Sequence, residues 1–292
     1  MVAMLWGVVA VGEELYFVDA HSQVGNDIGL EEIISLMQES GIRKTILSAR
    51  KKRKPSEIAD LAESHPDWVV AAIRTKGKHY KKNTPQYYKN LSNQSESGRF
   101  GAIAEVHIYH SKPWKGTHFE LSINDSQVKA AFEVAKKNSW PFVIHIEFSG
   151  ITGSKRERYT QELTEFLLEN PEHPVALIHM GQLDATEVRS LILAHQNIYF
   201  LTSHSNSITA PLSKLSMVNM FNGHQLTQEW KVLLTDHPDR FIFALDNVHE
   251  KQWRNNYREQ IVLWRNALGE LSDSVAHAVA HKNAESLWRL EY

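Results

Sequence analysis

The sequence predicts an α/β fold: one closed barrel of eight parallel strands with helices between them, the (β/α)8 or TIM-barrel arrangement. Three observations carry this. Short β-branched and apolar runs recur along 292 residues and alternate with helix-length segments. The runs are continuously apolar, which marks strands buried on both faces and joined by right-handed crossovers. Titratable residues gather where the runs end, and in such a barrel those ends share one rim. Neither an internal repeat nor a Pro/Gly/Ser-rich linker divides the chain, so it reads as a single domain over residues 1–292.

In order, the first run is Leu15–Asp19 (LYFVD). Before it, Met1–Val11 is apolar but too short to cross a bilayer, and it lacks the positive region of an export signal. Residues 1–14 therefore read as an extra strand or plug beneath the barrel. An amphipathic helix around Leu30–Glu39 follows, with Ile33, Ile34 and Met37 on one face and Gly41 as its stop. Lys44–Ser48, Trp68–Ile73 and Phe100–Val106 supply the second, third and fourth strands. Thr75–Gly98, rich in Lys, Asn, Ser and Tyr, reads as a long loop over the barrel mouth, suited to a mobile lid. A helix from about Asn124 to Lys137 leads to Phe142–Ile146, and Val175–His179, Ile198–Thr202 and Phe241–Asp246 complete the set.

Composition narrows the function. Lys and Arg number 32 against 34 Asp and Glu, a net charge of -2, so no strong field exists to hold nucleic acid or an anionic membrane. The basic run Arg50–Lys54 reads as a solvated loop face. Cysteine is absent, which excludes disulfides, thiolate metal sites and cysteine nucleophiles. Any transition-metal site must then use His, Asp and Glu, and 16 histidines supply it readily. The expected partner is a small-molecule substrate and the expected location cytoplasmic. Trp253, Tyr257 and Trp264 read as exposed aromatics, the face of a homodimer.

The informative polar residues sit at strand ends. Strand one ends in Asp19-Ala20-His21-Ser22-Gln23, strand four carries Glu105 and His107, strand five delivers His145 and Glu147, strand six His179, strand seven His204 and strand eight Asp246. His145 or His179 alone would read as a core histidine bonded to a carbonyl. Together on neighbouring strands, with Glu105 one strand earlier, they read as metal ligands. His107 and His110 divide evenly between site and strand face, whereas His65, His173, His195 and His237 fall in helix-to-strand connections at the opposite rim, as caps or surface residues.

These stretches resemble the amidohydrolase superfamily, and within it the amidohydrolase-2 group. The matching segments are FVDAHSQ at the first strand, GAIAEVH at the fourth, WPFVIHIE at the fifth, VALIHMG at the sixth, HPDRFIFALDN at the eighth, and HKNAESLW in a closing helix. Each is weak alone; their order along the chain is specific. The family's first strand ends in His-x-His. Here His21 matches the first member and Gln23 stands at the second, where an amide oxygen is a poorer ligand than imidazole. The resemblance thus implies one divalent metal, zinc with manganese or iron as alternatives, on Glu105, His145 and His179, with His21 as a further ligand or a substrate contact. It also implies that Asp246 takes a proton from the attacking water and passes it to the leaving group.

Three protein ligands and one open position describe a catalytic metal site. His204 is the candidate for contacting a substrate carbonyl, Arg74 for holding a substrate carboxylate, and Gln23, His107 and Tyr109 for lining the pocket with Trp114. No Gly-x-Ser-x-Gly elbow accompanies Ser149 or Ser203, and no Gly-rich phosphate loop is present. The expected activity is metal-dependent hydrolysis of a C–N or C–O bond (amide, lactone or ester) in a small polar molecule. Non-oxidative decarboxylation and metal-independent lactone hydrolysis are the alternatives within the family. A non-catalytic ligand-binding barrel is the alternative of another class, and Gln23 favours it.

Overall fold

In the computed structural model, which describes residues 14–111, 119–213 and 217–291, the apolar runs form the expected parallel strands. In chain order the strands are β1 (Phe17–Val24), β2 (Ile42–Ala49), β3 (Val69–Ile73), β4 (Ala102–Ile103), β5 (Val106–His110), β6 (Phe119–Glu120), β7 (Phe142–Ile146), β8 (Val175–Leu177), β9 (Ile198–Leu201), β10 (Phe221–Asn222), β11 (Gln225–Leu226) and β12 (Phe241–Ile242), of which β6 pairs antiparallel with β5, and β10 and β11 form a separate antiparallel hairpin. One sheet runs β1-β2-β3-β4 and a second β12-β9-β8-β7-β5-β6. β4 and β5 are two halves of the fourth barrel strand, broken at Ala104-Glu105. The last seam closes between β1 and the segment after β12: Ala20 N donates to Phe243 O at 3.1 Å, Asp246 N to His21 O at 2.7 Å and Gln23 N to Asn247 O at 2.7 Å.

Two apolar cores follow from this closure. Inside the cylinder, Val18, Ile46, Ala72, Ala102, Val143, Ala176, Leu201 and Ile242 fill the lumen, one side chain or more from each strand. Outside, alternate strand residues pack against the helices: Phe17 lies on Phe243, which meets Trp264 of helix Tyr257–Leu268 edge-on. Helix Leu30–Ser40 buries Ile33, Ile34 and Met37 and ends on Gly41, whose φ of 75° suits the left-handed cap that donates to Met37 O. Helix Ala185–Ala194 opens with a reciprocal capping box between Asp184 and Glu187. His65, His195 and His237 close helices as C-cap residues away from the site.

Three expectations are corrected. The segment 75–98 is largely helical, as Lys78–Lys81 and Pro85–Glu96, because Tyr87 and Leu91, one helical turn apart, are both buried in the outer core. Trp253, Tyr257 and Trp264 are fully buried, so they form no exposed face; Trp253 Nε1 donates to Gln23 O at 3.1 Å. Strand eight is shorter than expected, since pairing stops after Ile242 and the chain then runs irregularly to Asp246. The expected plug at residues 1–14 lies almost wholly outside the described residues, and Trp114 lies outside them too. Among the described residues no helix is long and apolar enough to cross a membrane.

Candidate active site

The carboxyl ends of the barrel strands enclose a cavity of about 210 Å³, lined among others by Gln23, Lys76, Glu105, His107, His145, His179, His204 and Asp246, with buried His21 beside them. The break in strand four places Glu105 inside. Leaving regular pairing between β4 and β5 lets its side chain turn into the lumen, and Thr75 Oγ1 fixes the turn by donating to Glu105 O at 2.5 Å. His179, His204 and Asp246 all have positive φ, at 55°, 56° and 50°. Three non-glycine residues in this disfavoured region on one rim are backbone strain of the kind that gathers at functional sites.

Glu105 is the hub. Its Oε2 lies 2.6 Å from His145 Nδ1 and 3.3 Å from His107 Nε2. Its Oε1 is paired closely with Lys76 Nζ, accepts from Gln23 Nε2 at 2.9 Å, and lies 3.4 Å from His21 Nε2. Asp246 Oδ1 accepts from the same Gln23 nitrogen at 2.7 Å and lies 3.4 Å from His21 Nε2, while its Oδ2 lies 3.5 Å from His179 Nε2. His179 is oriented through Nδ1 by Ser203, 3.0 Å from Oγ and 3.1 Å from the carbonyl oxygen. His145 Nε2 meets Glu147 Oε1 at 3.0 Å, and His110 Nδ1 stands 3.5 Å from that same oxygen. His204 Nε2 lies 3.0 Å from Asp246 O and is also approached by Gln252 Nε2.

Electrostatics follow from this packing. Burial works against a charged His21, yet the carboxylates of Asp246 and Glu105 outweigh it and raise the ring to about 9. His145 is likewise raised to about 9 against burial by Glu105 and Glu147. Burial lowers His107 to about 3 with help from the Lys76 charge, and His179 to about 3 with help from His204. Glu105 is held well below the carboxylate range despite burial, chiefly by Lys76, His107 and His145. Burial pushes Asp246 up most strongly, but its contacts, His21 first, together outweigh burial and hold the carboxyl below its ordinary value, so it is an ionised acceptor at neutral pH.

Four sets of side chains have ligand atoms mutually within 4.8 Å: His21, Glu105 and Asp246; Glu105, His107 and His145; His110, His145 and Glu147; and His179, His204 and Asp246. Glu105 and His145 thus share a set, while His179 belongs to the one with Asp246. The first set could hold a divalent cation once Lys76 and Gln23, which now engage its carboxylate oxygens, give way. All three residues are buried, His21 Nε2 has no hydrogen-bond partner, and its two 3.4 Å edges equal those of a tetrahedron. Ligand bonds of about 2.1 Å imply edges of about 3.4 Å. Gln23 Nε2 donates to both acids of this set, and rotating the amide would present its oxygen instead.

Arg74 and Tyr109 are not brought to this cavity. Arg74 donates to Lys51 O and Lys76 O and lines a neighbouring groove with Lys54, Lys78 and Tyr87. Tyr109 points outward, packing edge-on against Tyr159 and bonding Gly150 O. Sequence reasoning missed the cavity-lining cations Lys76 and Arg50, as well as His249 and Gln252. Arg50 was taken as part of a solvated basic run, and Lys76 lay hidden in an apparent loop. The only sequence signal of Arg50 and Lys76 is position just past strands two and three.

Residues 108–290 match the model of the amidohydrolase family, a span that starts after Glu105 and carries His145, His179, His204 and Asp246. No curated protein matches the chain. Similar solved structures include 2,6-dihydroxybenzoate decarboxylase from Rhizobium (15% identity, TM-score 0.57, covering 95% of this chain and 99% of that one). A probable 2-pyrone-4,6-dicarboxylic acid hydrolase from Acinetobacter baumannii, with citric acid bound, has 10% identity and TM-score 0.57, covering 94% and 99%. An amidohydrolase from Burkholderia multivorans with bound zinc has 13% identity and TM-score 0.54, covering 94% and 100%. At these identities the structures establish the barrel fold.

Proposed function

The chain belongs to the amidohydrolase family of enzymes, and on that premise we propose that it hydrolyses a C–N or C–O bond in a small polar substrate with the help of one divalent cation, zinc in our reading. The observation that carries the proposal is the buried His21 Nε2 standing 3.4 Å from both Glu105 Oε1 and Asp246 Oδ1, with no closer hydrogen-bond partner. His21, Glu105 and Asp246 would hold the cation, which when bound would supply Lewis acidity to water and to the scissile carbonyl.

The chain's own groups divide the remaining work. Asp246 Oδ1 faces His21 and Gln23, which leaves Oδ2, 3.5 Å from His179 Nε2, to accept the proton of the attacking water and return it to the leaving group. Ser203 fixes the His179 ring so that Nε2 faces this oxygen. A cavity of about 210 Å³ lies below the usual range of roughly 300–1,000 Å³ for ligand sites, which favours a small substrate.

The test is metal analysis of protein purified without chelator, followed by Asp246→Asn. The reading expects about one equivalent of zinc in the wild type and loss of hydrolysis in the variant. Wild-type hydrolysis undiminished by chelation, or activity surviving Asp246→Asn, would sink it.

Non-oxidative decarboxylation is favoured by one observation. Arg50 lines the cavity and has no carboxylate partner among the described residues, which suits an acid substrate. Release of CO₂ in place of acid, alcohol or amine separates the two reactions.

A further inference from the structure

Beside the cavity of the strand ends lies a larger groove of about 580 Å³, inside the range of roughly 300–1,000 Å³ usual for ligand sites. Lys76 lines both, so the two adjoin at that side chain. Lys54, Arg74 and Lys78 also line the groove, and no aspartate or glutamate does. None of these three forms a salt bridge among the described residues; Glu57, one turn along from Lys54, is bonded to Arg53 and to the Lys54 backbone N–H. In a chain of net charge -2, three such cations around one hollow give it a positive field of its own.

Arg74 is the fixed member of the three. Its Nε donates to Lys76 O at 3.3 Å and its Nη1 to Lys51 O at 3.1 Å, which leaves Nη2 without a hydrogen bond among the described residues. Gly77 carries the chain past it with φ 127° and ψ -169°, a conformation open essentially to glycine alone. A Cβ on Gly77 would lie 3.6 Å from Nη2, and glycine leaves that side of the nitrogen bare. Burial, then the like charge of Arg50, push the guanidinium down, and no acid acts the other way. Tyr80 and Tyr87 spend their hydroxyls on His107 O and Gln127 O, so what they offer the groove is ring carbon.

We propose that this groove is an anion-binding subsite beside the catalytic cavity, taking a phosphate or carboxylate carried on an apolar body. Arg74 Nη2 supplies charge-assisted hydrogen bonds to an oxyanion of either kind, Lys54 and Lys78 supply further charge, and the tyrosine rings receive the body. Arg74 is half-buried and the two lysines are exposed, so salt screens the arginine least and it carries the larger share of the binding. The subsite holds whichever bond is cleaved in the cavity.

The experiment titrates the protein as purified with phenyl phosphate, benzoate and phenol at about 0.15 M salt, followed by ligand-observed NMR, with a melting curve for each variant. Wild type is expected to bind one or both anions at least tenfold more tightly than phenol, and the tighter anion names the group. Arg74→Gln should weaken that binding at least tenfold, and the double variant Lys54→Gln, Lys78→Gln at least threefold. Arg50→Gln, which alters the cavity and not the groove, should change it by less than threefold. Should Arg74→Gln fail to fold, the double variant decides, because its two side chains are exposed. The proposal is overturned if neither anion binds, if phenol binds as tightly, or if the groove variants match wild type. It is overturned too if Arg50→Gln costs more than they do, which would put the anion in the cavity. No turnover is measured, so failure here leaves the hydrolase reading standing, and failure of the Asp246→Asn test leaves the groove standing.

Discussion

Gln23 donates to Asp246 across the closing seam of the barrel, 2.7 Å from amide nitrogen to Oδ1, between residues 223 positions apart in the chain. The contact exists because β1 and the segment after β12 are neighbours, joined by backbone bonds on either side of it. It decides how the two acids of the site are held, and it frames the predictions below.

His21→Ala should lower zinc affinity by at least 100-fold, since it removes the one nitrogen of the buried set that has no other partner. His110→Ala, belonging to a different set, should change it by less than threefold. Competition titration against a chromogenic chelator reads both values, and equal losses would place the ion elsewhere in the cavity.

Ser203→Ala should reduce kcat by about 10–100-fold with little change in fold, the usual cost of losing a partner that orients a site histidine. Ser203 presents both its hydroxyl and its carbonyl to His179 Nδ1, and the alanine variant keeps only the carbonyl. Steady-state kinetics beside a circular dichroism melt distinguishes misorientation from unfolding.

Stability of the metal-free protein should peak near neutral pH. His21 and His145 are raised to about 9 in the folded state, so their contribution is complete below about 6.5 and is lost as pH rises through 9. His107 and His179 are lowered to about 3, so unfolding takes up protons below about 6.5 and stability falls as pH drops towards 3. Urea midpoints measured between pH 4 and 10 on stripped protein check both limbs. A midpoint still rising between pH 7 and 9 would contradict the upper limb.

Leu91→Ala should destabilise the chain by about 2–5 kcal/mol, as for other buried leucines. A mobile lid over residues 75–98 would make the same change nearly neutral. Limited proteolysis supplies a second check: cleavage within Pro85–Glu96 should be slow in the wild type and faster in the variant.

Most of the architecture was legible in the sequence because burial on both faces leaves a local signature. Runs such as FVIHI and VALIH are continuously apolar, and their ends mark the rim wherever the strands lie in space. His145, His179, His204 and Asp246 could be placed at the rim for that reason. The aromatic residues around Trp264 were misread because a helix packed on a barrel buries a wide face, and helical spacing alone does not say which neighbour covers it.

By itself, then, the sequence determined an eight-stranded parallel barrel with acids and imidazoles at one rim, since local hydrophobic pattern and strand-end position are properties of short segments. Only the tertiary structure decided which of those groups meet. Glu105 chooses among His21, Lys76, His107 and His145 by where the broken fourth strand turns its side chain, and Asp246 reaches His21 and Gln23 through closure of the cylinder. Distances of a few ångströms between residues far apart in the chain are set by packing of the whole barrel, and no local pattern encodes them.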